Sequence, residues 1–317
     1  MANILINDGI QPIGVEMLEA AGHTVVNQHI PMDELPARLP EFDAICVRSA
    51  TKVRTALIDQ CPNLKAICRG GVGLDNIDVD YAKSKNIAVI NTPAASSRSV
   101  AELAMAHLFS VARSLYKSNR AMPSKGDSEF KALKKSYSKG FELYGKTLGV
   151  IGLGRIGRET AQLALSVGMN VIGVDPYIDS AELKIGGEQA NMTYTLTSSS
   201  MEDMLQKADV ITLHIPFTGA PVLSTEQFDQ MKDGVILINA SRGGTVDEDA
   251  MLAALASGKI AAAGVDVFIN EPTPRKDVLE HPQVSLTPHT GASTVEAQQK
   301  IGIELAEKLI AHLAQVC

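Results

Sequence analysis

The sequence predicts an α/β fold of two domains, each built on a parallel sheet. Short aliphatic and β-branched runs alternate with helical patterns along the whole chain, an order typical of parallel sheets. The length of 317 residues suits about two domains of ~150 residues that each bury a core. A glycine-rich motif at residues 152–157 follows one complete alternating series. We therefore expect one domain to be inserted into the other.

The first alternating series ends in a long helix. Its strands are expected at about residues 3–6, 24–27, 43–48, 64–68 and 87–90. After Ser99, apolar residues recur at helical spacing as far as Leu115, which predicts the long helix. From Met122 to Tyr144 this periodicity is lost and Lys, Ser and Gly are frequent, so we expect an exposed loop.

The second series begins at Thr147 and is followed by a final helix. Its strands are expected near residues 147–151, 170–174, 209–214, 234–239, 261–267 and 284–287, and the helix from Ser293 to about Ala314. Because this helix lies beyond the sixth strand, it can return to the first series. We expect a flavodoxin-like substrate domain of residues 1–98 and 288–317, with a Rossmann-type nucleotide domain of residues 99–287 inserted into it.

The composition is that of an ordinary globular protein, with 45% hydrophobic and 21% charged residues. A net charge of -7 argues against a general nucleic-acid surface or a surface for anionic membranes. No apolar run approaches the ~18 residues of a membrane span, and the chain enters a strand at Asn3 without the segments of a secretory signal. We therefore expect a cytoplasmic protein that binds neither nucleic acid nor membrane.

The cysteines, Cys46, Cys61, Cys68 and Cys317, lack the spacing of a metal site, so no metal is expected. Cys46 and Cys68 fall in apolar strands and are expected to be buried, reduced thiols.

The glycine motif carries the features of a dinucleotide site. Gly152 permits a tight turn from strand to helix, Gly154 lets the backbone approach a pyrophosphate, and Gly157 lets helix and strand pack closely. The helix that begins at about Arg155 directs free N–H groups at that pyrophosphate. Asp175, 18 residues after Gly157, ends the next strand, where it can accept hydrogen bonds from the adenosine ribose hydroxyls and repel a 2′-phosphate. The motif predicts that the chain binds NAD.

Three polar residues follow three successive strands of the nucleotide domain. Arg242 follows a buried strand in a Ser-Arg-Gly-Gly turn, Glu271 follows the next strand, and His289 follows the one after it. Ligands of open α/β sheets bind outside the carboxyl ends of the strands. There the guanidinium of Arg242 can bind a carboxylate through two hydrogen bonds. Each residue alone is more often structural, but the three together around one NAD site point to catalysis.

These segments resemble the D-isomer-specific 2-hydroxyacid dehydrogenases nearly from end to end. The resemblance rests on Gly152 to Gly157 with Asp175, on residues 241–248, on 266–272 and on 288–292. It implies the catalytic residues Arg242, Glu271 and His289, the split substrate domain, and a homodimer built partly by the helix after Ser99, with His107 as a packing or interface residue. The NAD-contacting residues it implies are Val72, Gly152, Gly154, Arg155, Ile156, Gly157, Asp175, His214, Ile215, Pro216, Ala240, Ser241, Arg242, Asp266, His289, Gly291 and Ala292.

Within the family, residues 47–53, 69–78, 91–93 and 99–102 resemble the subfamily that oxidises D-3-phosphoglycerate. Arg48 and Arg69 each end a strand and can hold a phosphate dianion, beside Ser49, while the backbone of Gly71, Val72 and Gly73 can hold a carboxylate in a nest. Ser96 stands where this subfamily has Asn. The segment from Lys125 to Lys139 also departs from the pattern, which leaves open whether Lys134 or Lys135 contacts substrate. The chain ends at Cys317, without room for the regulatory domains of many such enzymes, so feedback through such a domain is not expected.

The expected reaction is oxidation of D-3-phosphoglycerate to 3-phosphohydroxypyruvate, the first step of serine biosynthesis. Arg242 would bind the carboxylate and the 2-oxygen, His289 would take the hydroxyl proton, and Glu271 would fix the imidazole tautomer. A glyoxylate or hydroxypyruvate reductase, or another D-2-hydroxyacid dehydrogenase such as a D-lactate type, would use the same residues but would need neither Arg48 nor Arg69. An NAD-sensing corepressor-like protein is a further alternative from a different class.

Overall fold

The computed structural model describes residues 1–186 and 192–316 and divides into two compact units. One unit consists of Met1–Ser97 and Ala292–Cys317, and the other of Arg98–Gly291. Each unit contains a parallel sheet, which confirms the predicted α/β class.

The first unit contains a five-stranded parallel sheet in the order β2-β1-β3-β4-β5. This is the flavodoxin-like order. The strands are β1 (Asn3–Ile6), β2 (Thr24–Asn27), β3 (Ala44–Val47), β4 (Ala66–Arg69) and β5 (Ala88–Asn91). The helices between them are α1 (Pro12–Ala20), α2 (Leu35–Arg38), α3 (Thr55–Ile58) and α4 (Val79–Ser84), with a short 3-10 helix at Leu39–Glu41.

The second unit contains a six-stranded parallel sheet in the order β13-β12-β11-β10-β6-β7, flanked by helices. The chain enters it through α5 (Ser97–Ala112), α6 (Leu115–Lys125) and α7 (Phe130–Ser136). The strands of this sheet are β6 (Thr147–Ile151), β7 (Asn170–Val174), β10 (Val210–Leu213), β11 (Val235–Asn239), β12 (Ile260–Val265) and β13 (Val284–Leu286). A separate antiparallel hairpin is formed by β8 (Ser180–Ile185) and β9 (Met192–Thr197). The remaining helices of this unit are α8 (Arg155–Ser166), α9 (Met201–Lys207), α10 (Thr225–Gln230), α11 (Glu248–Ser257) and α12 (Lys276–Leu279).

The last helix, α13 (Val295–Val316), completes the first unit. Its buried face, which includes Leu305 and Leu309, packs in one hydrophobic cluster with Ile4 and Ile6 of β1. It crosses α1 closely, because a Cβ on Gly14 would lie only 2.7 Å from the carbonyl oxygen of Gly302. The two ends of the chain therefore share one hydrophobic core.

Two segments differ from the sequence-based expectation. The expected loop from Met122 to Tyr144 contains the end of α6 and all of α7. In α6 no residue is buried and in α7 only Leu133 is buried, so these helices lack the apolar periodicity that would have revealed them. The hairpin of β8 and β9 was not expected, because β9 is exposed except at Leu196 and β8 alternates Ala and Leu with Glu and Lys, which favour helices.

Within residues 1–186 and 192–316, no helix is both long enough and apolar enough to cross a membrane. Cys46, Cys61 and Cys68 are buried and free, as expected for Cys46 and Cys68, whereas Cys317 lies outside the described residues. The same described residues contain no group of three or more His, Cys, Asp or Glu side chains that could hold a metal ion.

Candidate active site

The glycine motif forms the turn from β6 into α8. Gly152 has a φ of +94°, which favours glycine, and a Cβ there would lie 2.6 Å from the carbonyl oxygen of His214. A Cβ on Gly157 would collide with the carbonyl oxygen of Gly152. At Gly154, by contrast, a Cβ would meet no atom within 4 Å, so the backbone before α8 faces open space. This geometry fits a pyrophosphate at the N-terminus of α8.

Asp175 follows β7 and is oriented toward the glycine motif. Its Oδ2 accepts a hydrogen bond from the amide of Leu153 at 2.8 Å, and its Oδ1 accepts one from the amide of Tyr177 at 2.9 Å. The Ser198 hydroxyl accepts a hydrogen bond from the Asp175 amide at 3.0 Å. Because each carboxylate oxygen can accept more than one hydrogen bond, both remain able to bind ribose hydroxyls. The carboxylate thus fits the adenosine end of a dinucleotide.

His289 and Glu271 form a direct hydrogen bond in the second unit. Nδ1 of His289 lies 2.7 Å from Oε2 of Glu271, and the side chains are 44% and 34% exposed. Oε1 of Glu271 accepts a hydrogen bond from the amide of Phe268 at 2.9 Å, which fixes the carboxylate against its own loop. The geometry leaves Nε2 of His289 as the ring nitrogen that can exchange a proton with a ligand.

The pKa of Glu271 is lowered from its ordinary value. Burial of the carboxyl group acts to raise it, but the hydrogen bonds from His289 and Phe268 and the positive charges of His289 and Arg242 outweigh burial. Glu271 is therefore ionised at neutral pH, and it can accept the Nδ1 proton of His289 and stabilise a positive imidazolium.

The loop that bears Arg242 is held by buried hydrogen bonds. The side chain of Asn239 accepts from the amide of Ser241 at 3.1 Å and donates to the hydroxyl of Thr245 at 3.1 Å. A Cβ on Gly243 would collide with the carbonyl oxygen of Phe268, so this loop lies against the loop of Glu271. The structure therefore brings the loops of Arg242, Glu271 and His289 to one edge of the sheet, where β11, β12 and β13 end side by side.

Asp266, expected to contact the cofactor, also holds the loop of His289. Its Oδ1 accepts from the hydroxyl of Thr287 at 2.6 Å and from the amide of Thr290 at 2.8 Å, and its Oδ2 accepts from the amide of Gly291 at 2.9 Å. Thr287 in turn lies 2.8 Å from Nε2 of His107, which is 3% exposed. Sequence reasoning did not identify this role of Thr287 and His107, because nothing in the sequence pairs residues 180 positions apart.

His214 follows β10 and borders the glycine motif. Burial lowers its pKa to about 3, so the ring is neutral at pH 7. The other expected cofactor residues of this unit lie at the same strand ends. Ile215 and Pro216 follow β10, Ala240 and Ser241 follow β11, Gly291 ends the unit, and Arg155 and Ile156 begin α8.

The remaining expected ligands lie in the first unit, except for two lysines. Arg48 and Ser49 follow β3, Arg69 ends β4, and Gly71, Val72 and Gly73 come next, while Ala292 begins the return of the chain. Of the three amides of the expected nest, that of Gly71 donates to the carbonyl of Arg69 at 2.9 Å. Within the described chain the amides of Val72 and Gly73 have no hydrogen-bond partner. Lys134 and Lys135 lie on α7 in the other unit.

Comparison with known proteins gives consistent matches. A family model described as D-isomer specific 2-hydroxyacid dehydrogenase, NAD binding domain, matches residues 105–291. Hydroxypyruvate reductase of Thermotoga maritima is 44% identical over 294 residues, which cover 91% of this chain and 90% of that protein. D-3-phosphoglycerate dehydrogenase of Methanocaldococcus jannaschii is 40% identical over 311 residues, which cover 98% of this chain but only 57% of that longer protein. The structure of D-lactate dehydrogenase from Aquifex aeolicus, complexed with NAD and lactic acid, matches with a TM-score of 0.78 and 28% identity, covering 99% of this chain and 97% of that one. The cofactor is therefore NAD.

The position of Asp175 predicts a preference for NAD over NADP. We expect kcat/KM with NAD to exceed kcat/KM with NADP by at least ~10-fold, or about 1.4 kcal/mol, because the carboxylate repels a 2′-phosphate. Asp175→Ala should reduce this preference for NAD. Asp179→Ala changes an exposed aspartate of the same segment and should leave the preference unchanged. Steady-state kinetics with both cofactors measure the ratio, and equal use of the two by the unaltered protein would contradict the role of Asp175.

The lowered pKa of His214 predicts that the second unit loses stability in acid. With the ordinary value of 6.5 lowered to about 3, the unfolded chain binds a proton in this range that the folded chain does not. The free energy of unfolding should therefore fall as the pH drops through this window. His214→Leu should show a smaller loss of thermal midpoint between pH 7 and pH 5 than the unaltered protein, whereas His281→Gln should behave like the unaltered protein. If the thermal midpoint of His214→Leu fell by as much as that of the unaltered protein, the imidazole of His214 would not be held neutral in the fold.

Proposed function

This chain belongs to the D-isomer specific 2-hydroxyacid dehydrogenase family, and within that family we propose that it oxidises D-3-phosphoglycerate to 3-phosphohydroxypyruvate, the first step of serine biosynthesis. As a member it is an NAD-dependent oxidoreductase. The observation that carries the choice of substrate is the placement of two arginines, Arg48 and Arg69, at the ends of neighbouring strands.

The two arginines lie on the same edge of the first unit's sheet. In the pairing of β3 with β4, Val47 is in register with Arg69, so Arg48 follows directly beside it. Gly71 leaves room for the side chain of Arg69, because a Cβ on Gly71 would collide with its guanidinium. Two guanidinium groups suit a phosphate dianion, which each can bind through charge-assisted hydrogen bonds. An unphosphorylated 2-hydroxy acid has one anionic group, its carboxylate, and Arg242 suffices for that.

The proposed catalysis is a proton transfer coupled to hydride transfer. Bound NAD supplies the hydride acceptor. Arg242 binds the substrate carboxylate and the 2-oxygen, which holds C2 in a geometry close to that of reaction. Nε2 of His289 takes the proton of the 2-hydroxyl as the hydride leaves C2, and the ionised Glu271 stabilises the imidazolium that forms. In the reverse direction the same imidazolium returns the proton to the 2-oxygen.

We also propose a homodimer that uses the α5–α7 segment. This segment exposes large apolar side chains at Phe109, Leu115, Met122 and Phe130, which are between 42% and 58% exposed. Exposed apolar side chains gathered on one segment favour a protein–protein interface.

We propose the cytoplasm as the location because three buried cysteines are free, as thiols are in a reducing compartment.

A second candidate is reduction of hydroxypyruvate or glyoxylate. Its support is the hydroxypyruvate reductase of Thermotoga maritima, which this chain matches over 90% of that protein's length. Nε2 of the same histidine would then donate a proton to the 2-oxygen of a keto acid, with Glu271 again bound to Nδ1. Arg48 and Arg69 would have no phosphate to bind.

Replacing the arginines separates the two candidates. Arg48→Ala and Arg69→Ala should each lower kcat/KM for D-3-phosphoglycerate on the order of 10–100-fold, because a charge-assisted hydrogen bond contributes about 1.5–3 kcal/mol. Turnover of hydroxypyruvate should change much less, and the loss on D-3-phosphoglycerate should shrink at high salt.

Arg54→Ala is the matched control, because Arg54 lies in the same unit but pairs with Asp78 at 2.9 Å. It should leave both activities unchanged. Equal losses on both substrates in Arg48→Ala and Arg69→Ala would overturn the phosphate assignment and favour the reductase.

A further inference from the structure

His107 is a buried residue of α5 whose two ring nitrogens both contact the segment that leads to His289. Nδ1 lies 3.0 Å from the hydroxyl of Ser285, and Nε2 lies 2.8 Å from the hydroxyl of Thr287, two residues before His289. The sheet leaves space for the ring, because a Cβ on Gly264 in β12 would lie 2.6 Å from Cβ of His107. Packing alone does not require both nitrogens to be bonded.

The directions of these hydrogen bonds follow from the carboxylate of Asp266, which bonds Thr287, which in turn bonds His107. Asp266 accepts hydrogen bonds and cannot donate one, so the hydroxyl of Thr287 donates its single proton to Oδ1 of Asp266 at 2.6 Å. The oxygen of Thr287 must then accept from the Nε2–H of His107. This leaves Nδ1 of His107 to accept from the hydroxyl of Ser285 at 3.0 Å, so the longer contact of Ser285 with the hydroxyl of Ser110, at 3.5 Å, takes its proton from Ser110. Burial lowers the pKa of His107, against the opposing charge of Asp266, so the neutral tautomer with its proton on Nε2 is maintained.

The constraint continues from Asp266 to His289. The amides of Thr290 and Gly291, directly after His289, both donate to Asp266, at 2.8 and 2.9 Å. His289 itself has a φ of +54°, a conformation that costs energy for a residue other than glycine. Its own amide donates to the carbonyl of Thr287 at 3.1 Å. Contacts to Asp266 thus hold the strained residue on both sides.

We propose that His107 is a positioning residue for the dehydrogenase reaction, which acts through Thr287 and Asp266 to hold the loop that aims His289 at the substrate. The inference deepens the proposed function, because it rests on His289 as the acid/base. A histidine that only fills space would affect stability but would not act through His289.

Two replacements of His107 separate donation from packing. His107→Met fills the volume but donates nothing, and it should lower kcat about 10–100-fold, since a small displacement of a reacting group can cost this much. His107→Gln can place an amide N–H near the position of Nε2 and should restore most of the activity. His312→Met, the same change at a histidine of the other unit, is the control and should leave kcat unchanged. Equal activities of the Met and Gln variants of His107 would overturn the proposal.

A double-mutant cycle tests whether the effect passes through His289. In a His289→Ala background, His107→Met should cause no further loss of kcat, because no imidazole remains to be aimed. An equal loss in both backgrounds would show a merely structural role. Thr287→Val removes the hydroxyl that joins His107 to Asp266, so it interrupts the same series of hydrogen bonds. It replaces His107→Met in the test if the thermal midpoint shows that His107→Met does not fold. Thr287→Val should lower kcat by a similar factor, and the double variant with His107→Met should lose no more kcat than either single variant.

The failures of the two proposals are distinguishable. If His289→Ala retained full activity, the acid/base assignment would be wrong and the inference would fall with it. If His289→Ala lost activity but folded His107→Met and Thr287→Val kept theirs, only the positioning role would be overturned.

Discussion

The parallel pairing of β11, β12 and β13 determines which side chains can cooperate in this protein. Parallel strands end at one edge of a sheet, so the loops that carry Arg242, Glu271 and His289 meet there although Arg242 and His289 are 47 positions apart. The glycine turn after β6 lies at the same edge, because β6 pairs with β10 in the same sheet. The hydrogen bond between Glu271 and His289 is a consequence of this pairing and gives the site its proton-transfer group.

The strands were largely predictable and the exposed elements were not. Each strand expected from the sequence is present within two residues of its expected bounds. Most of these strands are buried, and buried parallel strands are nearly continuous apolar runs. Helix α7 and the β8–β9 hairpin bury few side chains, so their local sequences carry little of the signal on which such predictions depend.

The site was predictable where chemistry follows a strand end and not where it depends on tertiary contacts. Glu271 and His289 were identified because each lies just beyond a recognisable strand. The contacts of His107 with Ser285 and Thr287 join residues from opposite ends of the second unit, and only the folded chain shows them. Likewise, the bond from the Gly71 amide to Arg69 depends on local backbone geometry that composition does not specify.

The central claim is that His289, oriented by Glu271, transfers the proton of the substrate hydroxyl. It is tested most directly by measuring kcat and the dissociation constant of NADH for His289→Ala. Loss of an acid/base group should lower kcat by about 10²–10⁴-fold, while the NADH dissociation constant stays nearly unchanged. A kcat within a few-fold of the unaltered enzyme would contradict the account, and so would a loss of activity explained wholly by weaker NADH binding.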